Sequence, residues 1–440
     1  MMRKTAVKIV KNLQDEGFEA YFAGGYVRDM LLGIESKDID IVTSATPDQV
    51  EKIFTKTVPI GKQFGIILVV QDEKKYEVAT FRRESDYLDR RRPSKITFSD
   101  AKTDATRRDF TINGLFFDPV SNKVIDFVSG ADDIKRKTIR FIGNPQERIS
   151  EDNLRLVRAI RLKITLGFQY APDTFEAVRK NSHLIKNVSA ERLRDELNRI
   201  MASPNRHQAL VELSESSLLK FIIPEIEALK GVPQPIQYHH EGDVFTHTYL
   251  ALKSLNDRTP SHLAWAVLLH DIAKPLTLTH IKNKIVFHNH AEISAELAKK
   301  ILERLKFPRF EIFDICWLIE NHMKIGIIEK MRPGKRLNFV LDPKFNDLIE
   351  LARADSSGTY PVNLDIVKRL EQAVKSALLW RDKTSSRHEK ALITGDDLIE
   401  LGFEPGSKFK EILEGVDDLH LSGELSSKKE ALDYIIGKFK

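Results

Sequence analysis

The feature that most limits how this chain can fold is a change of hydrophobic period near Asn144-Pro145. Before it, short β-branched and aromatic runs alternate with helical stretches. After it, apolar residues recur at helical spacing, beginning with Leu154, Val157 and Ile160. Such a chain is neither one sheet nor one bundle. It predicts a small mixed unit followed by a long helical body, an α+β arrangement. Its 440 residues allow roughly two to four domains.

In the first stretch, Ala20–Ala23 is an apolar run ending at Gly24-Gly25, and Tyr26–Leu32 reads as a helix stopped by Gly33. Ile39–Thr43 reads as a strand. Ile66–Val70 and Tyr76–Phe81 read as a hairpin around Asp72-Glu73-Lys74. Val124–Phe127 and Thr138–Phe141 add short strands. Glu84–Pro93 is charged without an apolar period and predicts a mobile loop. Later, Gly231–Pro235 predicts a linker, a histidine-rich helical region runs from about His239 to Asp355, and a tail begins near Leu392. No internal repeat or low-complexity tract is present.

Composition excludes several classes. The single cysteine, Cys316, rules out a disulfide scaffold or a cysteine-based zinc cluster and suits a reducing cytosol. No apolar run approaches the roughly 20 residues that span a bilayer, so a membrane protein is not expected and the predicted location is cytoplasmic. The N-terminal MMRKTAVKIVKNLQDEGF reads as an amphipathic helix, not a signal peptide. The net charge of +5 permits a polyanionic partner without demanding one.

The chemistry starts with AGGYVRDMLLGIESKDIDIVT, Ala23–Thr43. Asp38 and Asp40 are two apart on the predicted strand, so both carboxylates share one face while Ile39 and Ile41 face the core. Paired carboxylates suit Mg²⁺, a hard cation that keeps room for water and phosphate oxygens. Gly24-Gly25 lets backbone N–H groups approach a triphosphate, the next helix N-terminus adds positive dipole, and Arg28 adds charge.

This segment resembles the head of the class II tRNA nucleotidyltransferases, the family of bacterial CCA-adding enzymes and poly(A) polymerases. The resemblance implies a polymerase-β-like nucleotidyltransferase fold, with Asp38 and Asp40 as catalytic Mg²⁺ ligands and Glu77, in YEVATFRRE, as a third carboxylate. RRDFTIN, Arg107–Asn113, resembles the family's ribose and triphosphate segment, implying that Arg108 meets phosphates while Asp109 and Asn113 meet sugar hydroxyls. DFVSGADDI, Asp126–Ile134, resembles a motif closing the head, where Gly130 permits the turn. The loop ESDYLDRRRP resembles the family's flexible loop, tied in CCA-adding members to switching from C to A addition.

In the neck, EDNLRLVRAIR begins at Glu151 and resembles the family's nucleotide-selection motif. Asp152 and Arg155 are expected as neighbours on one helix face, with Leu154 and Val157 turned to the core. A carboxylate accepts from the exocyclic amine of C or A, and an arginine donates to a ring nitrogen or to the carbonyl of C. Arg158 joins the implied nucleotide-binding set. ERLRDEL, Glu191–Leu197, resembles a further neck motif in which Glu191 and Arg194 either brace the base-reading helix or form a solvated ion pair.

In the body, His247, His270-Asp271, His290, His322 and Asp355 follow the order of the HD superfamily of metal-dependent phosphohydrolases. The resemblance implies one metal on His247, His270, Asp271 and Asp355, with His290 and His322 where two-metal members place extra ligands. Mixed imidazole and carboxylate donors suit Mn, Fe, Ni, Co or Zn. Lys274 is placed to contact phosphate. The tail, ALITGDDLIELGFEPGSKFKEIL, resembles the tRNA-gripping segment of bacterial CCA-adding enzymes, though ordinary helix packing explains it equally.

The expectation is a head over 1–143, a neck over 144–230, an HD body over 231–385 and a tail over 386–440. The expected activity is template-independent addition of CCA to the tRNA acceptor end from CTP and ATP. A poly(A) polymerase, a CC-only or an A-only enzyme shares the same head. VPIGKQFGIILVV, Val58–Val70, is nearer the CCA type than the poly(A) type, and the intact loop at Asp86–Pro93 argues against a CC-only enzyme. An HD phosphohydrolase with a degenerate head, or an RNA-binding protein with both sites dead, are the readings from other classes.

Overall fold

A computed structural model describes residues 2–36, 38–85, 95–237, 239–282, 284–384, 391–421 and 423–439. The chain divides into two compact units, Met1–Pro224 and Glu225–Lys440.

The head of the first unit is built on the strands β1 (Ala20–Ala23), β2 (Asp40–Thr43), β3 (Thr57–Gly61), β4 (Ile66–Gln71), β5 (Lys74–Thr80), β6 (Arg82–Ser85), β7 (Lys95–Phe98), β8 (Leu115–Asp118) and β9 (Lys123–Asp126). Seven of them form one sheet in the order β3-β4-β5-β2-β1-β8-β9. One buried face of it follows from period-2 alternation: Phe22, Ile41, Val78 and Phe117 lie in register and are buried. Tyr21, Phe81 and Phe116 cluster on one face with ring centroids 5.9–6.2 Å apart. Ala101 and Ala105 of the helix Ala101–Thr106 belong to the same core. The helix Met2–Asp15 buries Ala6, Ile9, Val10 and Leu13, an amphipathic stripe as expected.

The hairpin between β4 and β5 is tighter than the sequence suggested. Asp72 and Glu73 both take positive φ (50° and 61°), the geometry of a two-residue turn matched to strand twist, and Lys74 joins the strand. The stretch read as a loop over Glu84–Pro93 has its centre, 86–94, outside the described residues. Its flanks pair as β6 and β7, with Arg82 opposite Phe98. Gly130 proves necessary for close approach rather than for a turn. A Cβ there would lie 2.1 Å from the Thr111 carbonyl oxygen, and the left-handed residue is Ser129 (φ 61°).

The neck helices Arg155–Leu166 and Ala190–Met201 pack together, the first burying Leu156, Val157, Ile160 and Ile164. A two-residue parallel ladder, Thr138–Ile139 with Gln169–Tyr170, ties the neck to the head.

In the second unit, helix Ser261–Leu269 is buried from Leu263 to Leu269, so neighbours must cover it on every side. One departure from the all-helical expectation is the hairpin Leu278–Ile281 with Lys284–Phe287. Its β-branched Thr279, Ile281, Ile285 and Val286, and Lys282 at φ 48°, favour extended pairing. The tail helices Gly395–Glu400, Ser407–Leu421 and Lys428–Phe439 share a small core of Leu398, Ile412, Val416 and Ile435. No helix among the described residues is long and apolar enough to cross a membrane.

Candidate functional site

In the head, β2 begins at Asp40, so Asp38 lies in the chain just before the strand rather than on it. The alternation nevertheless continues through it: Ile39 and Ile41 are buried while Asp38 and Asp40 are exposed. The parallel register Ile41↔Val78 sets Glu77 of β5 beside Asp40. The carboxyl end of Asp40 is crowded by protein on its inner side. That desolvation raises it, Arg108 pulls against the rise and Asp38 adds to it. Burial and then Asp40 raise Glu77. Carboxylates held in this state gain from a cation, and an all-oxygen donor set fits Mg²⁺.

Gly24 (φ 67°) precedes the helix Gly25–Leu32, and a Cβ on it would stand 3.2 Å from Arg108 Nη1 and 3.7 Å from Asp40 Oδ2. Only glycine admits that approach of arginine, backbone and carboxylate. A cavity of about 490 Å³ is lined here by Gly24, Gly25, Arg28, Asp40, Glu77, Arg108, Asp109, Asn113, Asp152, Arg155 and Arg158. Five arginines absent from the sequence reading of the site also line it: Arg82, Arg107, Arg161, Arg192 and Arg199. Asp38 is not among the lining residues and acts on Asp40 through charge.

The expected nucleotide residues are joined in one hydrogen-bonded chain. Arg28 Nη1 donates to Asn113 Oδ1 (2.6 Å), and Asn113 Nδ2 donates to Asp109 Oδ1 (3.1 Å). Asp109 Oδ2 accepts from Arg158 Nε (2.8 Å). Burial alone would raise the Asp109 carboxyl, but Arg158 and Arg155 hold it well below the usual range. Behind them sits Asp104, fully buried, which sequence reading missed. Its Oδ1 accepts from Arg107 Nε (2.9 Å) and Nη2 (2.6 Å), and its Oδ2 from Arg108 Nε (3.2 Å) and Nη2 (3.0 Å). The backbone N–H of Arg82 also reaches Oδ1 (3.3 Å). The three- and four-residue spacing from Asp104 to the two arginines was the available signal.

The neck corrects an expectation. Asp152 and Arg155 do not share a helix face, because the helix Pro145–Glu151 ends at Asp152 and a new one starts at Arg155. Asp152 Oδ1 accepts from the Leu154 N–H (3.1 Å), and buried Asn153 donates to the Ile149 carbonyl (2.6 Å), which breaks the helix. Leu154 and Val157 are buried as expected. Asp152 pairs with Arg192 (2.6 and 3.1 Å), while Arg155 Nη1 meets Glu151 (2.7 Å) and the Arg148 carbonyl (2.7 Å). The brace from ERLRDEL is therefore Arg192 and Glu196, not Glu191 and Arg194. Residues 192, 196 and 199 share one face of the helix Ala190–Met201, and Arg194 instead contacts Asp195 (2.9 Å). Glu196 meets Arg158 (3.5 Å), Arg161 (2.5 Å) and Arg199 (3.1 Å).

In the body, the six expected ligand residues converge. Ligand atoms of His247, His270 and Asp355 lie within 4.8 Å of one another, as do those of Asp271, His290 and His322. Asp271 stands between the groups: Oδ2 is 3.2 Å from His270 Nε2, and Oδ1 is 3.4 Å from His290 Nε2. His270, His290 and His322 each point Nδ1 at a carbonyl three residues earlier, at 2.8, 3.1 and 2.6 Å. That leaves each Nε2 as an acceptor facing the cluster. His270 Nε2 and His247 Nε2 are buried without a hydrogen bond of proper geometry. Burial pushes the His322 imidazole down to about 4, so it stays neutral. Buried imidazole and carboxylate ligand atoms converging in one place, with two Nε2 atoms left without a hydrogen bond, fit a transition-metal ion. Lys274 Nζ contacts Asp271 Oδ2 (2.6 Å). Ser294, in the helix begun by His290, accepts from the Ala273 N–H (3.1 Å) and so secures the turn after the His-Asp pair.

Residues 20–140 match the poly A polymerase head domain, 167–230 the probable RNA and SrmB-binding site of polymerase A, and 238–357 the HD domain. The CCA-adding enzyme of Bacillus pumilus (strain SAFR-032) is 45% identical over 214 residues, 48% of this chain and 53% of that protein. The CCA-adding enzyme of Staphylococcus aureus (strain MRSA252) is 44% identical over 233 residues, 52% of this chain and 58% of that protein. The chain thus matches a little over half the length of these curated relatives. The crystal structure of Bacillus stearothermophilus CCA-adding enzyme in complex with CTP is similar with a TM-score of 0.69 at 25% identity, covering 99% of this chain and 98% of that one. Thermotoga maritima CCA-adding enzyme complexed with tRNA shares the fold with a TM-score of 0.57 at 22% identity, covering 99% and 94%. Nucleotidyltransferase and HD domains both imply dependence on divalent metal. The chain therefore carries, in order, a poly A polymerase head domain, a segment matching the probable RNA-binding site of polymerase A, and an HD domain.

Proposed function

We propose that this chain is a template-independent tRNA nucleotidyltransferase that adds CCA to the tRNA acceptor end from CTP and ATP, in the cytoplasm. The observation that carries the reading is one cavity holding Asp40 and Glu77, an arginine cluster and the pair Asp152 and Arg155. Asp38, Asp40 and Glu77 would hold Mg²⁺, which when bound supplies Lewis acidity toward the primer hydroxyl and the leaving pyrophosphate. Arg28 and Arg108, with the first N–H groups of the helix Gly25–Leu32, hold the triphosphate. Asp109 and Asn113 set the sugar, and Arg158 fixes Asp109. Asp152, steadied by Arg192, accepts from the exocyclic amine of C or A. Three of the five N–H donors of Arg155 are engaged by Glu151 and the Arg148 and Arg107 carbonyls, leaving two for the base. G and U present the opposite donor pattern and would leave these groups unpaired, where discrimination is strong.

The test is single-nucleotide-resolution extension of a tRNA ending at its discriminator base, with Mg²⁺ and CTP, ATP or both. Three additions ending in CCA are expected, and none from Asp40→Ala. Stopping at CC, or needing a CC end before adding A, would make it a split-function enzyme. A long A tail would make it a poly(A) polymerase.

A second activity is supported by the orphaned ligand atoms of the body. Asp271, His290, His322 and Asp355 of the ligand set line a cavity of about 850 Å³ that also includes Lys274. There His247, His270, Asp271 and Asp355, with His290 and His322, would hold transition-metal ions for hydrolysis of 2′,3′-cyclic or 3′ phosphates. Hydrolysis that survives Asp40→Ala and disappears in His270→Ala is the expected result. Absence of any hydrolysis with Mn²⁺, Co²⁺ or Ni²⁺ would remove this reading.

A further inference from the structure

One buried carboxylate in the body is left over by the ligand set. Glu241 exposes only 2% of its side chain. Its Oε1 accepts from His239 Nδ1 (2.6 Å) and lies 3.3 Å from His247 Nδ1. Its Oε2 accepts from the Tyr360 N–H (2.9 Å), and the His240 N–H donates back to the Tyr360 carbonyl (2.8 Å). Glu241 therefore ties the segment before the helix Val244–Ser254, which carries His247, to the turn after the helix Phe345–Gly358, which carries Asp355.

His247 faces a choice that the other three histidines do not. A neutral imidazole offers one lone pair, and its other nitrogen keeps the proton. Its Nε2 is the inward nitrogen, 3.0 Å from Asp355 Oδ1 and 3.7 Å from Asp271 Oδ2. His270, His290 and His322 place the proton on Nδ1 by donating to the carbonyl three residues back. For His247 the corresponding carbonyl, Val244, accepts from Thr248 Oγ1 (2.8 Å) instead. The carboxylate against its Nδ1 is Glu241.

We propose that Glu241 is the positioning residue for His247. It holds the proton on Nδ1, so that the Nε2 lone pair stays aimed at the site shared with His270, Asp271 and Asp355. His239, Glu241 and His247 also lie within ligand distance of one another. That trio is not a separate ion site in this reading, because both Glu241 oxygens already accept from N–H groups. The inference rests on the body being a metal site.

The experiment uses the full chain stripped with chelator and titrated with Co²⁺, followed by calorimetry and by the visible absorption of the bound ion. Glu241→Ala is expected to weaken Co²⁺ binding about 10–100-fold, the usual effect of losing an outer-shell carboxylate. Glu241→Gln keeps an acceptor oxygen and should lose less, while His270→Ala should abolish binding. Far-UV circular dichroism identifies a variant that has lost its fold, in which case Glu241→Gln decides alone. Wild-type affinity and an unchanged Co²⁺ spectrum in the folded variants would overturn the proposal. If wild type binds no better than His270→Ala, the metal reading itself fails and the proposal with it.

Discussion

Asp104→Asn removes one charge and almost no volume from the head. In the native head that carboxylate is fully buried and shared by the Arg107 and Arg108 guanidinium groups. Breaking a buried ion pair by neutralising one partner costs about 3–5 kcal/mol. Here the arginine side chains keep 20% and 17% of their surface in water, so part of the unpaired charge is recovered by solvent. The substituted amide still offers one carbonyl oxygen, which can keep the Arg82 N–H satisfied. An expected loss of about 2–3 kcal/mol follows from the low end of that range. It divides between stability and the aim of Arg108 toward Gly24 and Asp40. If all of it fell on nucleotide binding, CTP affinity would drop by about 30–150-fold at 1.4 kcal/mol per decade. The assay pairs calorimetric titration of CTP with a urea unfolding curve. A weaker CTP dissociation constant together with a lower midpoint is expected, with the KM for CTP rising more than kcat falls. An Asp104→Asn variant with wild-type CTP affinity and an unchanged midpoint would refute the claim that this carboxylate aims the two arginines.

Arg192→Ala removes the guanidinium that steadies Asp152 and is expected to raise misincorporation of UTP and GTP about tenfold while leaving the primer-independent CTP affinity within a few-fold, read by single-nucleotide extension. Gly358→Ala puts a Cβ 3.0 Å from the His247 carbonyl oxygen and from the Ala251 backbone nitrogen, where neither can yield. The two helices should separate slightly, costing about 1–3 kcal/mol and weakening Co²⁺ binding at the body, as thermal unfolding and calorimetry would register. The raised carboxyls of Asp40 and Glu77 hold protons to higher pH than ordinary carboxylates, so protons compete with Mg²⁺ sooner as pH falls. The Mg²⁺ concentration for half-maximal addition should therefore begin to climb at a higher pH than ordinary carboxylates would give, and a Mg²⁺ requirement that stays flat until the ordinary carboxylate range is reached would contradict it.

Much was legible from local pattern. Alternation in KDIDIV set Ile39 and Ile41 inward with Asp38 and Asp40 outward, a consequence of strand geometry alone. The glycine pair before a helix, the hairpin around Asp72-Glu73 and the burial of Leu154 and Val157 are likewise local, because each depends on residues within one turn or pleat. The order of histidines and aspartates also announced a shared site, since few chemistries use those residues together. Only tertiary structure decided which partner each charged group takes. Asp152 looked like the neighbour of Arg155 at a spacing of three, but a buried asparagine broke the helix between them and Arg192, 40 residues on, took the carboxylate. Glu241 carries no sign of its role in its immediate neighbours, because its task depends on a turn 119 residues away. Hydrogen-bond partners across such distances are selected by packing of whole helices, and the period of a single helix cannot encode them.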